Sequence, residues 1–589
     1  MLSTFNISQL FFLMNPRRKN QGLILVFMTI LGSLLEVVSL TAVFPILAYI
    51  LDPANASNGY IMQMMRPLLE VLPFEEKFSM GLLFTCVVII ASFYRIILTW
   101  LQVSWGNAVG HDLSVMVFSR LIKQDYERHI VRNTSDIVAG ITVKINQLVG
   151  CYINPLVAIC SSVVLLFAIV FTLVLTAGYQ VGFAIALIGF IYSLITLLIK
   201  SKLASNSFII SKCTNAIVLQ VQESFQGVRE VKLNTTEQLR INSFSAMDKE
   251  LRAAQSSSTV LSQAPRYIVE SLLVVSMIGA ALVFAGKLSL SGDALPIIGV
   301  LALGIQRTMP LAQSIYANVA TMKGAIFSVK DVFDLASVNS EIRSNQDVAK
   351  DGFFFENKID LKNISYRYPM SNIDQLKDIN LSINKGDWVG IYGKTGSGKS
   401  TLLDIICGLL EPTSGTILID DRALSSIKHS DWINKLAVVS QSAYFSDATI
   451  WENITLNEKT PNLDRLNDCL KVSQLKETID SLKDGINTRI GEAGVQLSGG
   501  QLQRLSIARA LYRNAEILIF DEATSALDNQ TENDLMTALR ESNADLTVVM
   551  VAHRIKTLES CNLLIEMDKG QIATVSSKFN SEIPEKARN

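Results

Sequence analysis

Three short stretches in the last third of this 589-residue chain carry residue types that could bind a phosphate chain and cleave it with water. In Gly393-Lys394-Thr395-Gly396-Ser397-Gly398-Lys399-Ser400 the glycines let backbone N–H groups wrap phosphate oxygens where a helix begins. Lys399 brings a point charge to the β- and γ-phosphates, Ser400 offers a hydroxyl to Mg²⁺, and Thr401 follows in the first turn. Further on, Ile517-Leu518-Ile519-Phe520-Asp521-Glu522 reads as a buried strand ending in two carboxylates. Asp521 is suited to hold Mg²⁺ directly or through water, and Glu522 to polarise an attacking water. Between these two stretches lies Leu497-Ser498-Gly499-Gly500-Gln501.

In this order and spacing the motifs resemble the nucleotide-binding domain of an ABC transporter, from about residue 357 to 572. The resemblance implies ATP and Mg²⁺ as cofactors and assigns further residues. Gln441, after Val438-Val439-Ser440, matches the Q-loop residue that senses Mg²⁺ and the membrane domain. His553, at the end of the apolar stretch Thr547 to Ala552, matches the switch histidine at the γ-phosphate. Ser525-Ala526-Leu527-Asp528 matches the D-loop, and Tyr368 the aromatic that stacks on adenine, with Tyr366 as second candidate. Ser498, Gly499, Gly500 and Gln501 match the signature, which in this family covers the γ-phosphate held by the P-loop of a second cassette. An intact signature and an intact Glu522 imply a homodimer with two hydrolysing sites. Glu492 matches a residue that couples to the membrane loops, although Ala493 stands where many relatives carry a base. A lone histidine is ordinarily structural and a glycine pair ordinarily a turn; seven motifs in one order exclude that reading.

The elements that must position these residues follow from composition. A hydrophobic fraction of 49% and a mean hydropathy of +0.33 are high for a soluble chain and point to membrane spans. Lys+Arg 52 against Asp+Glu 53 leaves a balance that suggests no nucleic-acid partner. The seven cysteines contain no C-x-x-C pair and suggest neither a metal site nor a disulfide frame. Apolar runs at 23–51, 79–103, 150–177, 179–200, 262–286 and 293–319 each approach or exceed the roughly 20 residues a bilayer demands. Six spans before one cassette make a half-transporter. The expected fold is an all-α six-helix membrane domain of the type I/type IV ABC exporter kind, followed by an α/β P-loop ATPase domain. We place the membrane domain at 1–335, a linker at 336–356, the cassette at 357–572 and a polar tail at 573–589.

Arg17, Arg18 and Lys19 precede the first span, and the connections 104–149 and 201–261 are rich in Lys and Arg, Lys144 among them. The positive-inside rule therefore puts both termini and these loops in the cytosol, with the spans in the cytoplasmic (inner) membrane. Phe5 to Met14 reads as an interfacial elbow. Tyr60 to Glu70, in the external loop 52–78, reads either as a helix on the outer leaflet or as a folded loop cap. By resemblance, the turns Tyr126 to Asp136 and Thr235 to Asn242 are coupling helices that dock on the cassette.

The spans also contain Glu36, Arg95, Arg266, Glu270 and Arg307. Each charge costs about 2.5 to 3.5 kcal/mol at mid-bilayer on insertion scales, so they should face a cavity or one another. Arg95 and Arg307 lie at similar depth, roughly 20 to 24 Å from the outer end at 1.5 Å per residue. A homodimer would present four guanidinium groups to one cavity, and such forks suit phosphate oxygens. In the opposing reading Glu36 pairs with Arg95 and Arg266 with Glu270, leaving only Arg307. Ala264-Pro265-Arg266-Tyr267-Ile268-Val269-Glu270 and Arg307-Thr308-Met309-Pro310 resemble segments of the lipid-linked oligosaccharide flippases of bacterial N-glycosylation. That resemblance implies ATP-driven movement of a polyprenyl-pyrophosphate-linked oligosaccharide or similar anionic lipid-linked glycan, with Arg95, Arg307, Glu36 and Arg266 as substrate contacts. A peptide, drug or lipid A-type exporter of the same fold is the alternative.

Overall fold

A computed structural model describes residues 11–41, 76–177, 179–284, 294–337 and 353–577, apart from 442, 457, 459, 492, 493, 495, 525, 543–544 and 553–554. Most of the elbow, the external segment Tyr60 to Glu70, most of the linker, Glu492, Ala493, Ser525 and His553 lie outside the described residues. The chain forms two compact units, Met1–Gln124 with Arg132–Ser340, and Asp125–Val131 with Glu341–Asn589.

In the first unit the apolar runs are helices: Pro16–Thr41, Glu76–Ile122, Asn154–Ala177, Tyr179–Gln226, Glu237–Phe284 and Ala294–Gly324. Long stretches of Leu, Ile, Val and Phe permit no other membrane structure, because a helix satisfies every backbone group internally. Pro265 and Pro310 sit inside the last two helices, where packed neighbours tolerate them. Among the described residues, four stretches are long and apolar enough to span a bilayer: Pro16–Ser39, Gly81–Ile122, Thr134–Val174 and Ile188–Gln226. Helices of 47 and 48 residues reach about 70 Å at 1.5 Å per residue, far beyond a ~30 Å hydrocarbon core, so they continue outside the bilayer as stalks.

The stalk core packs Val109, Leu113 and Val117 against Leu148, Ile153 and Val329. Two π-helical turns, Gly140–Lys144 and Val149–Ile153, interrupt the lead into the third span. Lys144, read from sequence as a loop cation, is buried there at 2% side-chain exposure. Its ammonium pairs with Asp331 and donates to Ser211 Oγ at 3.2 Å.

In the second unit, strands β1 (Lys358–Tyr366), β2 (Leu376–Asn384), β3 (Trp388–Gly393), β4 (Ser414–Ile419) and β5 (Arg422–Ala423) come first. They are followed by β6 (Leu436–Val439), β7 (Ile517–Asp521), β8 (Thr547–Val551), β9 (Leu563–Asp568) and β10 (Gln571–Ser577). One antiparallel sheet has the order β2-β1-β4-β5, and the other the order β10-β9-β3-β8-β7-β6. In the second sheet β9, β3, β8, β7 and β6 are parallel. Their near-continuous apolar sequences suit a sheet covered on both faces. Parallel register brings the carboxyl ends of β3, β6, β7 and β8 to one edge, where open α/β sheets bind ligands.

Candidate functional site

β3 delivers the glycine loop. Its buried residues Trp388 to Ile391 anchor the strand, and the chain turns through the loop into the helix Lys399–Ile406. Gly393 has φ +154°, and a Cβ there would stand 2.2 Å from the Met567 carbonyl oxygen on β9. Leu402, Leu403, Ile405 and Ile406 fasten the helix into the core beneath. Lys399 is buried, and its ammonium donates to the carbonyls of Gly393 at 2.8 Å and Lys394 at 3.0 Å. Burial lowers its pKa, opposed by the charges of Glu522 and Asp521. Lys394, Thr395, Gly396 and Ser400 are exposed along the loop. The Ser397 hydroxyl is buried without a hydrogen-bond partner among the described residues, a donor aimed into the loop and suited to a phosphate oxygen.

The two tyrosines separate by environment. Tyr366 is buried and donates its hydroxyl to Glu127 at 2.8 Å, from the helix Tyr126–Val131 of the same unit. Tyr368 is half-buried, its hydroxyl 3.2 Å from Thr401 Oγ1 and its ring edge-on to Tyr366 at 5.0 Å. Of the two, Tyr368 is the one whose hydroxyl reaches the phosphate loop's helix, while Tyr366 is turned to Glu127.

The carboxylates come from β7. Ser400 donates to the Asp521 carboxylate, while burial and then the neighbouring Glu522 raise the Asp521 pKa. Glu522 lies just past the strand in the left-handed region, at φ +53°. Its N–H donates to Val551 O at 3.0 Å, and its carboxylate accepts from Gln441 Nε2 at 2.9 Å. A glutamate held at positive φ is strained by about 1 to 3 kcal/mol, a conformation that clusters at functional sites. Thus Lys399, Ser400, Gln441, Asp521 and Glu522 are drawn together from separate segments of the chain. Asp404, one turn beyond Ser400, escaped the sequence reading: burial first, and Asp521 second, push its carboxyl up to about 6.

The donors beside the loop are hard oxygens: the Ser400 hydroxyl, the Asp521 carboxylate and the Gln441 side-chain carbonyl. Among the described residues no group of three or more His, Cys, Asp and Glu forms an all-protein metal cage. Such a set fits Mg²⁺, which keeps waters and takes nucleotide phosphates as its remaining ligands.

The signature helix packs one face, with Ile507 and Ala510, against the strands of the second sheet and the other into a separate core. Leu505, Ala508 and Tyr512 of the helix Gly499–Tyr512 pack with Ile450, Leu466 and Ile490, apart from the core under the phosphate loop. Ser498 caps this helix through a reciprocal box: its hydroxyl accepts from Gln501 N at 3.3 Å, and its own N–H donates to Gln501 Oε1 at 2.8 Å. The first turn, with Gly499 and Gly500, carries no acidic residue, leaving the helix's positive end open to an anion. Gln503 accepts from Ala526 N at 3.0 Å, tying this helix to the D-loop.

In the first unit both pairings of the opposing reading are formed. Arg95 stands 3.7 Å from Glu36 and Arg266 2.6 Å from Glu270. The first pair is asymmetric, with Glu36 at 9% side-chain exposure and Arg95 at 61%. Both line a cavity of about 250 Å³, with Ser33, Tyr94, Gln102 and Ser161 among its walls. Arg266 and Glu270 lie half-exposed along one helix. Arg307 belongs to the helix Ala294–Gly324, but its side chain lies outside the described residues.

A helical membrane unit joined to a P-loop α/β unit defines a class, the membrane transport ATPases that bind ATP. Residues 376–525 match the ABC transporter family, and residues 23–303 match the ABC transporter transmembrane region. The chain is an ABC exporter half-transporter and a multi-pass membrane protein. It is 27% identical to an ATP-dependent lipid A-core flippase of Burkholderia thailandensis, over 80% of this chain and 79% of that protein. It is 36% identical to the alpha-hemolysin translocation ATP-binding protein of Escherichia coli O157:H7, over 53% of this chain and 43% of that protein. Its fold matches a bacterial Atm1-family ABC exporter with a TM-score of 0.79, at 21% identity over 95% of both chains.

Proposed function

We propose that two copies of this chain use ATP to move an anionic, phosphate-bearing glycolipid across the cytoplasmic membrane, with both termini cytosolic. The observation that carries the reading is Arg95: a guanidinium 61% exposed in the wall of a cavity within the helical unit, 3.7 Å from its buried partner Glu36. An intramembrane cation that far exposed is costly unless an anion meets it there. A polyprenyl-pyrophosphate-linked oligosaccharide is the cargo we favour, on the span residues Ala264 to Glu270 and Arg307 to Pro310. The Burkholderia relative, a lipid A-core flippase, favours a lipid A-type cargo with the same anionic head chemistry.

In the motor, Lys399, the loop N–H groups from Gly393 to Ser400 and the Ser397 hydroxyl would bind the phosphates, with Thr401 in the first turn of the helix that supports them, and Tyr368 would stack on adenine. Ser400 and Asp521, with Gln441, would hold Mg²⁺, which neutralises phosphate charge when bound. Glu522 orients the attacking water, and His553 contacts the γ-phosphate. The helix end at Ser498, Gly499, Gly500 and Gln501 would cover the phosphate held by the second copy. Proteoliposomes loaded with a polyprenyl-pyrophosphate glycan, lipid A-core or a peptide separate the readings. ATP should move an anionic glycolipid, and Arg95→Ala should lower that movement by more than it lowers ATP hydrolysis. Movement of the peptide alone would reject the reading.

A further inference from the structure

Two cavities meet inside the first unit. One, about 250 Å³, has mixed walls in which Glu36, Arg95, Ser33 and Gln102 supply the polar groups beside Leu98 and Leu165. The other, about 230 Å³, is almost wholly apolar; it runs along the first helix from Lys19 to Thr29, with Leu23, Trp105, Val157 and Val164 among its walls. Thr29 and Ser161 are walls of both. Gln102 closes the boundary, its amide donating to Thr29 Oγ1 at 3.2 Å and to Ser161 Oγ at 2.7 Å.

The dimensions suit a lipid. From Lys19 to Thr29 the slot follows the helix for about 15 Å at 1.5 Å per residue, half the ~30 Å hydrocarbon core and so the depth of one leaflet. Glu36 lies about two turns beyond Thr29, and Arg95 about two turns beyond Gln102, so the compartment with the ion pair continues the slot along both helices. A water-soluble solute has no use for the slot, and an uncharged hydrocarbon none for the ion pair, because polar groups and methylenes each require their own surroundings. An amphiphile uses both.

We propose that the two cavities are one binding site for a single anionic lipid: its phosphate-bearing head on Arg95 in the compartment with the ion pair, one hydrocarbon chain in the slot, and Gln102 the gate at the junction. The site rests on the reading that the cargo is an anionic lipid and specifies where its chain lies. Gln102 is a positioning residue. It must exchange its bonds to Thr29 and Ser161 for bonds to the lipid's polar linkage when head and chain straddle the boundary. Because the slot lies on the cytosolic side of Arg95, the bound lipid points its chain back toward the cytosolic face and is held half inverted.

Cys160 is an exposed thiol in the slot wall and serves as a native reporter. With Cys86 and Cys151 replaced by Ala, the other four cysteines being buried, its modification by a membrane-soluble maleimide is followed in phosphatidylcholine nanodiscs. Polyprenyl pyrophosphate at about 80% occupancy should slow modification about fivefold, and pyrophosphate alone should not. Arg95→Ala should abolish the slowing. Unchanged labelling with polyprenyl pyrophosphate overturns the site even if the lipid is flipped, and slowing that survives Arg95→Ala overturns the link between the cavities. Arg95-dependent protection without lipid movement leaves the site standing and removes the cargo reading. In the otherwise native chain, Val157→Trp fills the slot and should lower glycolipid movement about tenfold, while unimpaired movement overturns the proposal.

Discussion

Gly393 and Gly396 stand three residues apart in the phosphate loop, yet alanine should affect them very differently. At Gly396 the backbone has φ +82°, and no atom lies within 4 Å of the methyl that alanine would bring. The cost of alanine is then left-handed strain alone, roughly 1 to 2 kcal/mol, reduced by about 0.4 to 1 kcal/mol from the lower entropy of the unfolded chain. At Gly393, with φ +154°, strain is about 1 to 3 kcal/mol, and the methyl also meets the Met567 carbonyl at 2.2 Å. That oxygen cannot turn aside, because Gly393 and Met567 are register partners in the parallel ladder of β3 and β9. Relieving the overlap adds about 1 to 3 kcal/mol. Gly393→Ala should therefore be the more damaging by about 3 kcal/mol, or about 6 to 12 °C in the cassette's melting transition. Scanning fluorimetry of the full-length protein without nucleotide reads this directly. Equal midpoints for the two variants would refute the reasoning that the β3–β9 ladder fixes the loop's first residue.

Further expectations concern buried charge. Asp331→Ala strands the Lys144 ammonium, 2% exposed, whereas Lys144→Met leaves Asp331, 36% exposed, within reach of water. The first should cost about 3 kcal/mol and the second about 1, with the double variant recovering part of the loss; a costlier Lys144→Met, in thermal unfolding of the membrane domain, would contradict this. Asp404 has a raised pKa in the folded state, about 6, so its ionisation costs folding free energy. Stability should fall as pH rises from about 4 to about 6 and then level off. Asp404→Asn should thus stabilise the cassette by about 1 kcal/mol at neutral pH, allowing for its partial exposure, with the gain vanishing below pH ~4. A gain independent of pH would exclude ionisation as the cause.

Much of the ATP site is legible in the sequence because local chemistry dictates it. The glycines of the phosphate loop occupy positive φ, and the box of Ser498 and Gln501 needs only residues three apart. What escapes is set by distant packing. Asp404 reads as an ordinary polar position on its helix, and burial in the fold, followed by the approach of Asp521 on β7, raises its pKa. Lys144 counts in sequence as one more cytosolic cation, but the fold buries it against Asp331 from another helix. Among the span charges, Arg266 and Glu270 are within one turn and could be paired by inspection. Glu36 and Arg95 require the contact between two helices, and the unequal exposure of that pair is invisible without it. Tyr366 and Tyr368 are two residues apart, at the end of β1 and just past it; burial and the bond to Glu127 distinguish them.

The most direct measurement is ATP-dependent movement of a fluorescent polyprenyl-pyrophosphate glycan or lipid A-core in proteoliposomes, with the native chain and Glu522→Gln side by side. The native protein should move the lipid, and Glu522→Gln should retain ATP with neither hydrolysis nor movement. Movement that persists in Glu522→Gln, or native hydrolysis that moves no anionic lipid, would contradict the assignment of this chain as an ATP-driven carrier of anionic glycolipid.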